Sequence, residues 1–415
     1  MIKILKNIYA ILGLALLKKT FHYYFSVLTE KSKVNILQND SCKIKNKNVF
    51  FGYYDLNPIS KDNDLVLAIV TGVSKNTHHK AAIGYYRLNN LNRFIKIDET
   101  ETWCWQQGCR LRWSNIFNNT IIFNKLVNNG YGCIFVQIES GKITKDVNYP
   151  LYDLTQDEKY GLSLNFSRLQ RLRPGYGYSL LKDNTVGKNA PDNDGIFLVD
   201  ITKNTCSLIL KINTISKIKP KPSMKNAEHY INHISINPNG ERFLFFHLWT
   251  KNGQRFSRLF TADLNGDSIY LLENEENVSH YSWRSNNEII LTTYNKNYGT
   301  RYSIYTDQTN IRLYLPSGKL NSDGHPSFCP YNKDLILSDT YPDKYGNRTL
   351  FFYNMKKESK SIIGSFRSPL KYQGEYRCDL HPRWNNDGSL ITFDSTHQNK
   401  IRTLNILHIE NSLYT

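Results

Sequence analysis

Four of the eleven histidines, His233, His280, His325 and His381, each stand at the head of a short strand-like run. Two of these runs are nearly the same sentence, GHPSFCPYNKDLILSD from Gly324 and LHPRWNNDGSLITFD from Leu380. Each reads His-Pro, an aromatic two places after the Pro, an Asn/Asp-rich turn, an apolar pair and then Asp. Neutral imidazoles brought from separate strands, with carboxylates nearby, suit Mn, Fe, Ni or Zn. The candidate carboxylates are Asp323, Asp379 and Asp55; residues two apart on a strand share a face, so Asp379 and His381 can address one ion. A polar ring that only ties strands together is the competing reading. His247, in FLFFHLW, sits among apolar residues, where a half-buried imidazole acts either as a general base or as a packed core residue. LQRLRPGYGY (169–178) presents Arg171, Arg173, Tyr176 and Tyr178 around two glycines, a loop able to grip an anion or a sugar ring, or simply a punctuated connection. Trp103, Trp105, Gln106 and Gln107 offer a similar choice between sugar stacking and core.

The elements that must position these side chains are strands. From about residue 48 onward the chain is a series of short apolar runs broken by Asn/Asp/Gly/Lys turns, and the pattern of the two opening stretches recurs from Asn57, Arg110, His233 and His280. Six units are visible, and the long gap between Arg110 and His233 has room for a seventh, degenerate one within GLSLNFSRLQRLRPGYGYSLL and GIFLVDITKNTCSLIL. Units of roughly 45 to 60 residues with several short strands predict an all-β, seven-bladed β-propeller of four-stranded blades. Residues that begin the same strand of successive blades then form a ring around the axis. The ring would hold the four histidines together with Asn57 and Arg110.

A net charge of +17 predicts a polyanionic partner, with nucleic acid, anionic lipid and acidic polysaccharide all open on charge alone. No nucleotide-binding motif, Ser-His-Asp arrangement or nucleic-acid module is present, so nucleic acid is not an expected partner. The seven cysteines show no paired spacing, which favours buried free thiols over a disulfide framework or a structural zinc. Residues 1–45 form an apolar and basic arm, with lysines on both sides of IYAILGLALL, and residues 46–415 form the propeller. The apolar run is short for a span, which leaves a peripheral amphipathic arm, an uncleaved anchor and a signal peptide open. The corresponding location is the cytoplasm or the inner face of a membrane, with periplasmic export as the alternative.

HISINPNGERFLFFH, SHYSW, DGHPSF with SDTYPD, and DLHPRW together resemble the oligogalacturonate lyase family and its wider TolB-like propeller relatives, over about residues 48 to 410. The resemblance implies a seven-bladed propeller that holds a divalent metal, usually Mn, and splits uronide chains by β-elimination. It implies His247 as the catalytic base and His280 and His381 as metal ligands, with His325 or Asp379 completing the set. Asp379 replaces the first histidine of the family's His-x-His-Pro pair, the family's glutamine falls near Tyr376, and Arg171 or Arg173 is left for its catalytic arginine. Arg110, Asn57, His233, Tyr176 and Tyr178 remain as substrate contacts. The expected partner is an acidic poly- or oligosaccharide, either cleaved by a metal-assisted lyase or bound by a non-catalytic propeller in surface polysaccharide assembly.

Overall fold

The computed structural model describes residues 40–75, 79–398 and 400–409, together with residues 14, 17, 18, 20–22 and 24. Among them, seven antiparallel sheets of four strands each follow one another along the chain, as a seven-bladed β-propeller. Blades 1 to 6 span 48–100, 112–147, 153–211, 228–273, 277–314 and 327–367. Blade 7 takes three strands from 383–408 and its fourth from the other end of the chain: Asp40–Cys42 pairs with Thr403–His408, Asp40 opposite Ile406 and Cys42 opposite Leu404. Asp40–Cys42, within the segment 1–45 read as the arm, is thus a strand of the last blade. The apolar and basic run of the arm lies almost wholly outside the described residues, and no helix among them is long and apolar enough to cross a membrane.

Middle strands are covered on both sides by neighbouring blades, which is why they read as continuous apolar runs. Leu65–Thr71 (LVLAIVT) is buried throughout, whereas the outer strand Asn90–Thr100 is exposed or half-buried at every residue but its last, Thr100. Asn-rich dipeptides make the hairpins: Asn128 and Asn129 both take positive φ between paired Val127 and Gly130, as a two-residue turn matching the strand twist requires. The seven cysteines are free thiols, all but half-buried Cys206 fully buried.

One recurrent hydrogen bond fixes the register of the repeat. In each blade the amide just after the first strand reaches across the turn, as in Ser114 N–H to Thr120 O, Asn237 to Arg242 and Asn385 to Leu390. The residue four earlier is Arg110, His233 or His381, and each takes a left-handed φ, 56°, 56° and 45°. The same bond in blade 1 runs from Ser60 to Leu65, so the position is held by Leu56 and the expected leader Asn57 is one residue out. In blade 3 it runs from Thr155 to Tyr160, making Leu151 the leader. The seventh unit thus starts earlier than expected, with GLSL and GIFLVD as its second and third strands.

Two departures from the repeat shape the channel. Blade 1 interrupts its first strand between Phe50 and Ile59, and the intervening segment carries Tyr53 and Tyr54 into the centre. Blade 3 inserts 30 residues between Leu164 and Gly195, opening with the helix Phe166–Leu172, N-capped by the Asn165 side chain on Arg168 N–H. Buried Arg168 bonds the carbonyls of His229, Lys188 and Asn189, so the insertion and the loop after its helix are fixed against blade 4.

Candidate functional site: a histidine centre in the channel

His233 and His280 lie within the first strands of blades 4 and 5, Glu228–Ile236 and Asn277–Trp283. His325 and His381 stand two residues ahead of the first strands of blades 6 and 7, so the four are not at strand heads as expected. All four are completely or almost completely buried, and they converge. Ring centroids lie 4.1 Å apart for His280 and His325 and 4.4 Å apart for His325 and His381. His233 is reached through Tyr53, which stacks on it at 5.1 Å and meets His381 edge-on at 4.8 Å.

Hydrogen bonding sets the tautomers of three of these rings. His280 Nδ1 donates to Asp323 Oδ1 at 2.9 Å, His325 Nδ1 to Asp339 Oδ1 at 2.7 Å, and His381 Nδ1 to the carbonyl of Gly52 at 2.9 Å. With the proton on Nδ1, each Nε2 carries a bare lone pair, and all three Nε2 atoms are buried without a hydrogen-bond partner. An imidazole anchored through Nδ1 to a carboxylate or carbonyl, with Nε2 free, is the arrangement of a metal ligand. Burial keeps His280 and His381 neutral, lowering both pKa values; Asp323 only partly offsets this at His280. Against the cost of its own burial, Asp323 is held down to about 2 by His280 and by the hydroxyls of Ser279 and Thr292.

Asp379 has an oxygen within 4.8 Å of ligand nitrogens of both His325 and His381. The pairing with His381 is the expected one, but the segment that carries both lies ahead of the strand and His381 takes a φ of 45°, so strand alternation is not its cause. Arg377 Nε bonds it at 2.6 Å and Arg348 Nε at 3.4 Å, and these guanidiniums keep its carboxyl ionised far below the usual range despite burial. His325, His381 and Asp379 bring their ligand atoms within 4.8 Å of one another, with the His280 ring beside His325. Two nitrogens and a carboxylate, with a third nitrogen adjacent, suit Mn, Fe or Zn, and the unpartnered Nε2 atoms fit a divalent ion.

The blade 3 loop lies over this centre. Tyr176 packs edge-on against Tyr53 and His233, with the Arg173 guanidinium 4.0 Å above its ring, and its hydroxyl accepts from Arg377. Burial pushes the Tyr176 phenol up, but Arg173 and Arg377 outweigh it and the net shift is downward. Arg173 is nearly buried, and its Nε has no hydrogen-bond partner.

The other expected site residues are elsewhere. His247 lies on the second strand of blade 4, packed on His229 and Trp249. Arg258 Nε donates to its Nδ1 at 3.0 Å, so Nε2 carries the proton and faces His229 Nδ1 at 2.9 Å. Both nitrogens are committed, the ring is fully buried, and no lone pair is left for a general base. Arg171 is taken by Asp183 and Glu228 on the outside of the blade 3 insertion. Arg110 is closed by a two-pronged ion pair with Asp55, which also removes Asp55 from the metal set. Tyr178 is a core residue stacked on Phe166, and Asn57 caps its own turn through Ile59 N–H. Trp103 and Trp105 are core, and Gln106 and Gln107 brace neighbouring segments. Tyr376 packs on Trp105 and Tyr372 in the core.

Sequence reasoning overlooked Asp339 and Tyr53. The final Asp of the repeated sentence was the available signal: Asp339 holds His325, and Asp394, its counterpart in blade 7, holds Arg383. Tyr53 and Tyr54 lie in the segment that interrupts the first strand of blade 1, where no pattern marks them.

No protein-family model matches the chain, and no curated protein sequence does. Among solved structures, an oligogalacturonate lyase in complex with manganese aligns with a TM-score of 0.65 at 14% identity, covering 93% of this chain and 100% of that one. The oligogalacturonate lyase of Vibrio parahaemolyticus aligns with a TM-score of 0.62 at 12% identity, covering 92% and 99%. Over nearly its whole described length, the chain therefore has the seven-bladed propeller fold of the oligogalacturonate lyases.

Proposed function

We propose that the histidine centre holds a divalent cation, Mn foremost, and that the protein acts there on an acidic, uronate-containing glycan by β-elimination. The observation that carries this reading is the set of three buried, unpartnered Nε2 atoms of His280, His325 and His381, each with its Nδ1 anchored. Asp379 adds an anionic donor. Bound there, the cation supplies Lewis-acid polarisation of the uronate carboxylate, which acidifies the proton on C5.

The chain's own side chains divide the remaining work. Arg173, without a carboxylate partner of its own, and Arg377, beside Asp379, supply positive charge next to the centre for the substrate carboxylate. We assign Tyr176 Oη, as the phenolate that the neighbouring Arg173 and Arg377 charges favour, the role of taking the C5 proton and becoming the phenol. The electron pair of that C–H bond forms the C4=C5 double bond, the C4–O4 glycosidic bond breaks, and O4 leaves as a hydroxyl after protonation by water. Tyr53, Tyr54 and the blade 3 loop keep bulk water from the histidines.

The test is direct. Full-length protein loaded with Mn is incubated with polygalacturonate, alginate and hyaluronan, and the ultraviolet absorbance of the unsaturated product is followed. Product that is lost in Tyr176→Phe, with a rate drop of about two to four orders of magnitude and little change in glycan affinity, supports the lyase. The closure of His247 favours a second reading, a propeller that binds an acidic glycan without cleaving it. Tight binding with no product from any of the three polymers would establish that reading instead.

A further inference from the structure

A large cavity opens at one mouth of the channel. It is a funnel of about 1040 Å³ lined by the ends of the first strands and the turns that follow them in blades 1 to 6, with Asn386 of blade 7 at the rim. Its volume is at the upper end of the range for small-molecule sites. Tyr54 is its floor. The Tyr54 hydroxyl bonds the backbone N–H and carbonyl of Tyr281, at 2.9 and 2.6 Å, and the opposite side of the same ring faces the histidines, 5.1 Å from His325. The funnel and the histidine centre are thus separate compartments divided by Tyr53 and Tyr54.

The wall has a consistent chemistry. Its inner charges are neutralised within the protein: Asp55 by Arg110 at 2.9 Å and Asp153 by Arg112 at 3.0 Å. What remains for a ligand is mostly neutral and polar, the amides and hydroxyls of asparagines and serines such as Asn115, Asn118 and Ser282, together with two indoles. Trp113 and Trp283 occupy the same position of the repeat in blades 2 and 5, three blades apart across the channel. Each indole N–H is spent on a backbone carbonyl of the preceding blade, Pro58 and Ser235 respectively, which fixes the rings while they stay half-exposed. Two hydroxyls in the wall, Tyr281 Oη and Ser327 Oγ, are buried and have no hydrogen-bond partner. Unpartnered buried hydroxyls are uncommon and call for a ligand or ordered water.

From these features we infer that the funnel is a second binding site, for an uncharged oligosaccharide. Flat, immobilised indoles provide stacking faces for sugar rings, and amides with hydroxyls match a ligand whose polar groups are all hydroxyls. An acidic chain finds no unpaired guanidinium in the inner wall. A peptide finds few apolar recesses for its side chains. The inference is independent of the reaction proposed at the histidine centre.

The experiment is calorimetric titration of the full-length protein with four uncharged hexasaccharides, cellohexaose, maltohexaose, xylohexaose and mannohexaose, with tryptophan fluorescence as a second readout. At least one is expected to bind, and Trp113→Ala or Trp283→Ala to weaken it at least about tenfold. Tyr281→Phe, which keeps the ring and removes only the hydroxyl, is expected to weaken it several-fold, and serves if an indole deletion fails to fold. Chelating divalent metal should leave the affinity unchanged, which separates this site from the histidine centre. Absence of binding by all four sugars, or binding indifferent to Trp113, Trp283 and Tyr281, would overturn the assignment.

Discussion

Asp339 does more for the centre than any residue that would itself touch an ion. Its Oδ1 receives both the Nδ1–H and the backbone N–H of His325, and its Oδ2 receives the backbone N–H of His381, so one carboxylate orients two ligands of adjacent blades. Asp339→Asn keeps the shape but weakens the charge that holds the tautomer. It should lower Mn affinity about 10- to 100-fold by calorimetry while the melting temperature moves little. An unchanged affinity would show that the histidines are not ligands. The pair His229 and His247 makes a prediction of another kind. Burial first, and then Arg258, lowers both pKa values, His229 to about 4 and His247 well below its ordinary value. Below about pH 6.5 these residues take up protons in the unfolded chain but not in the folded one, so stability falls as the pH drops, by up to about 1.4 kcal/mol per pH unit for each. Thermal melts between pH 7 and pH 5 should show this slope, and His247→Gln should flatten it. The same substitution should cost about 1 to 3 kcal/mol at pH 7 and leave glycan turnover largely intact, because its role is packing and the Arg258 hydrogen bond.

At the scale of elements, the segment between Phe50 and Ile59 and the strand Asp40–Cys42 each bear more than their length suggests. Gly52 sits at φ 137° with Gln107 backbone atoms 3.1 Å from where a Cβ would be, and its carbonyl anchors His381 and Arg383. Gly52→Ala must therefore shift that carbonyl. It should destabilise the fold by about 1 to 3 kcal/mol and weaken Mn binding at the same time. The strand Asp40–Cys42 closes the propeller by joining the two ends of the chain, with Cys42 completely buried against blade 7. Deletion through Cys42 removes that side chain and exposes the edge of Thr403–His408. A loss of about 3 kcal/mol and a tendency to associate through the bare edge are expected, measured by thermal melts and by light scattering. A truncated protein as stable and monodisperse as the full chain would show that closure of blade 7 does not depend on this strand.

For the whole molecule the relevant quantity is +17. Long-range attraction from that charge raises the local concentration of a polyanion and is screened by salt, whereas hydrogen bonding and stacking of an uncharged sugar are not. Raising NaCl from about 0.05 to 0.5 M shortens the screening length more than twofold and should weaken polygalacturonate binding by at least about tenfold. Hexasaccharide binding in the funnel should hardly change over the same range. Equal salt sensitivity of the two ligands would mean that both occupy one site.

The sequence by itself determined the architecture and the histidine ring. A sentence repeated with its turn residues specifies a blade, seven blades specify closure around an axis, and residues at one place in the repeat must then meet, as His280, His325 and His381 do. Asp379 was legible beside His381 from its spacing, although the two lie on a segment ahead of the strand where His381 takes a left-handed φ. What the repeat does not encode was decided only by the tertiary structure. His247 and Arg171 have the residue types of catalytic groups, but side-chain type does not reveal a partner: Arg258 occupies the lone pair of the one, and Asp183 and Glu228 occupy the fork of the other. Arg110 shares the ring register with the histidines and is closed by Asp55, a contact across 55 residues. Tyr53 and Tyr54 come from the segment that interrupts the repeat, so no periodicity points to them. Their position between two compartments follows from where blade 1 folds its insertion into a channel that the other blades create.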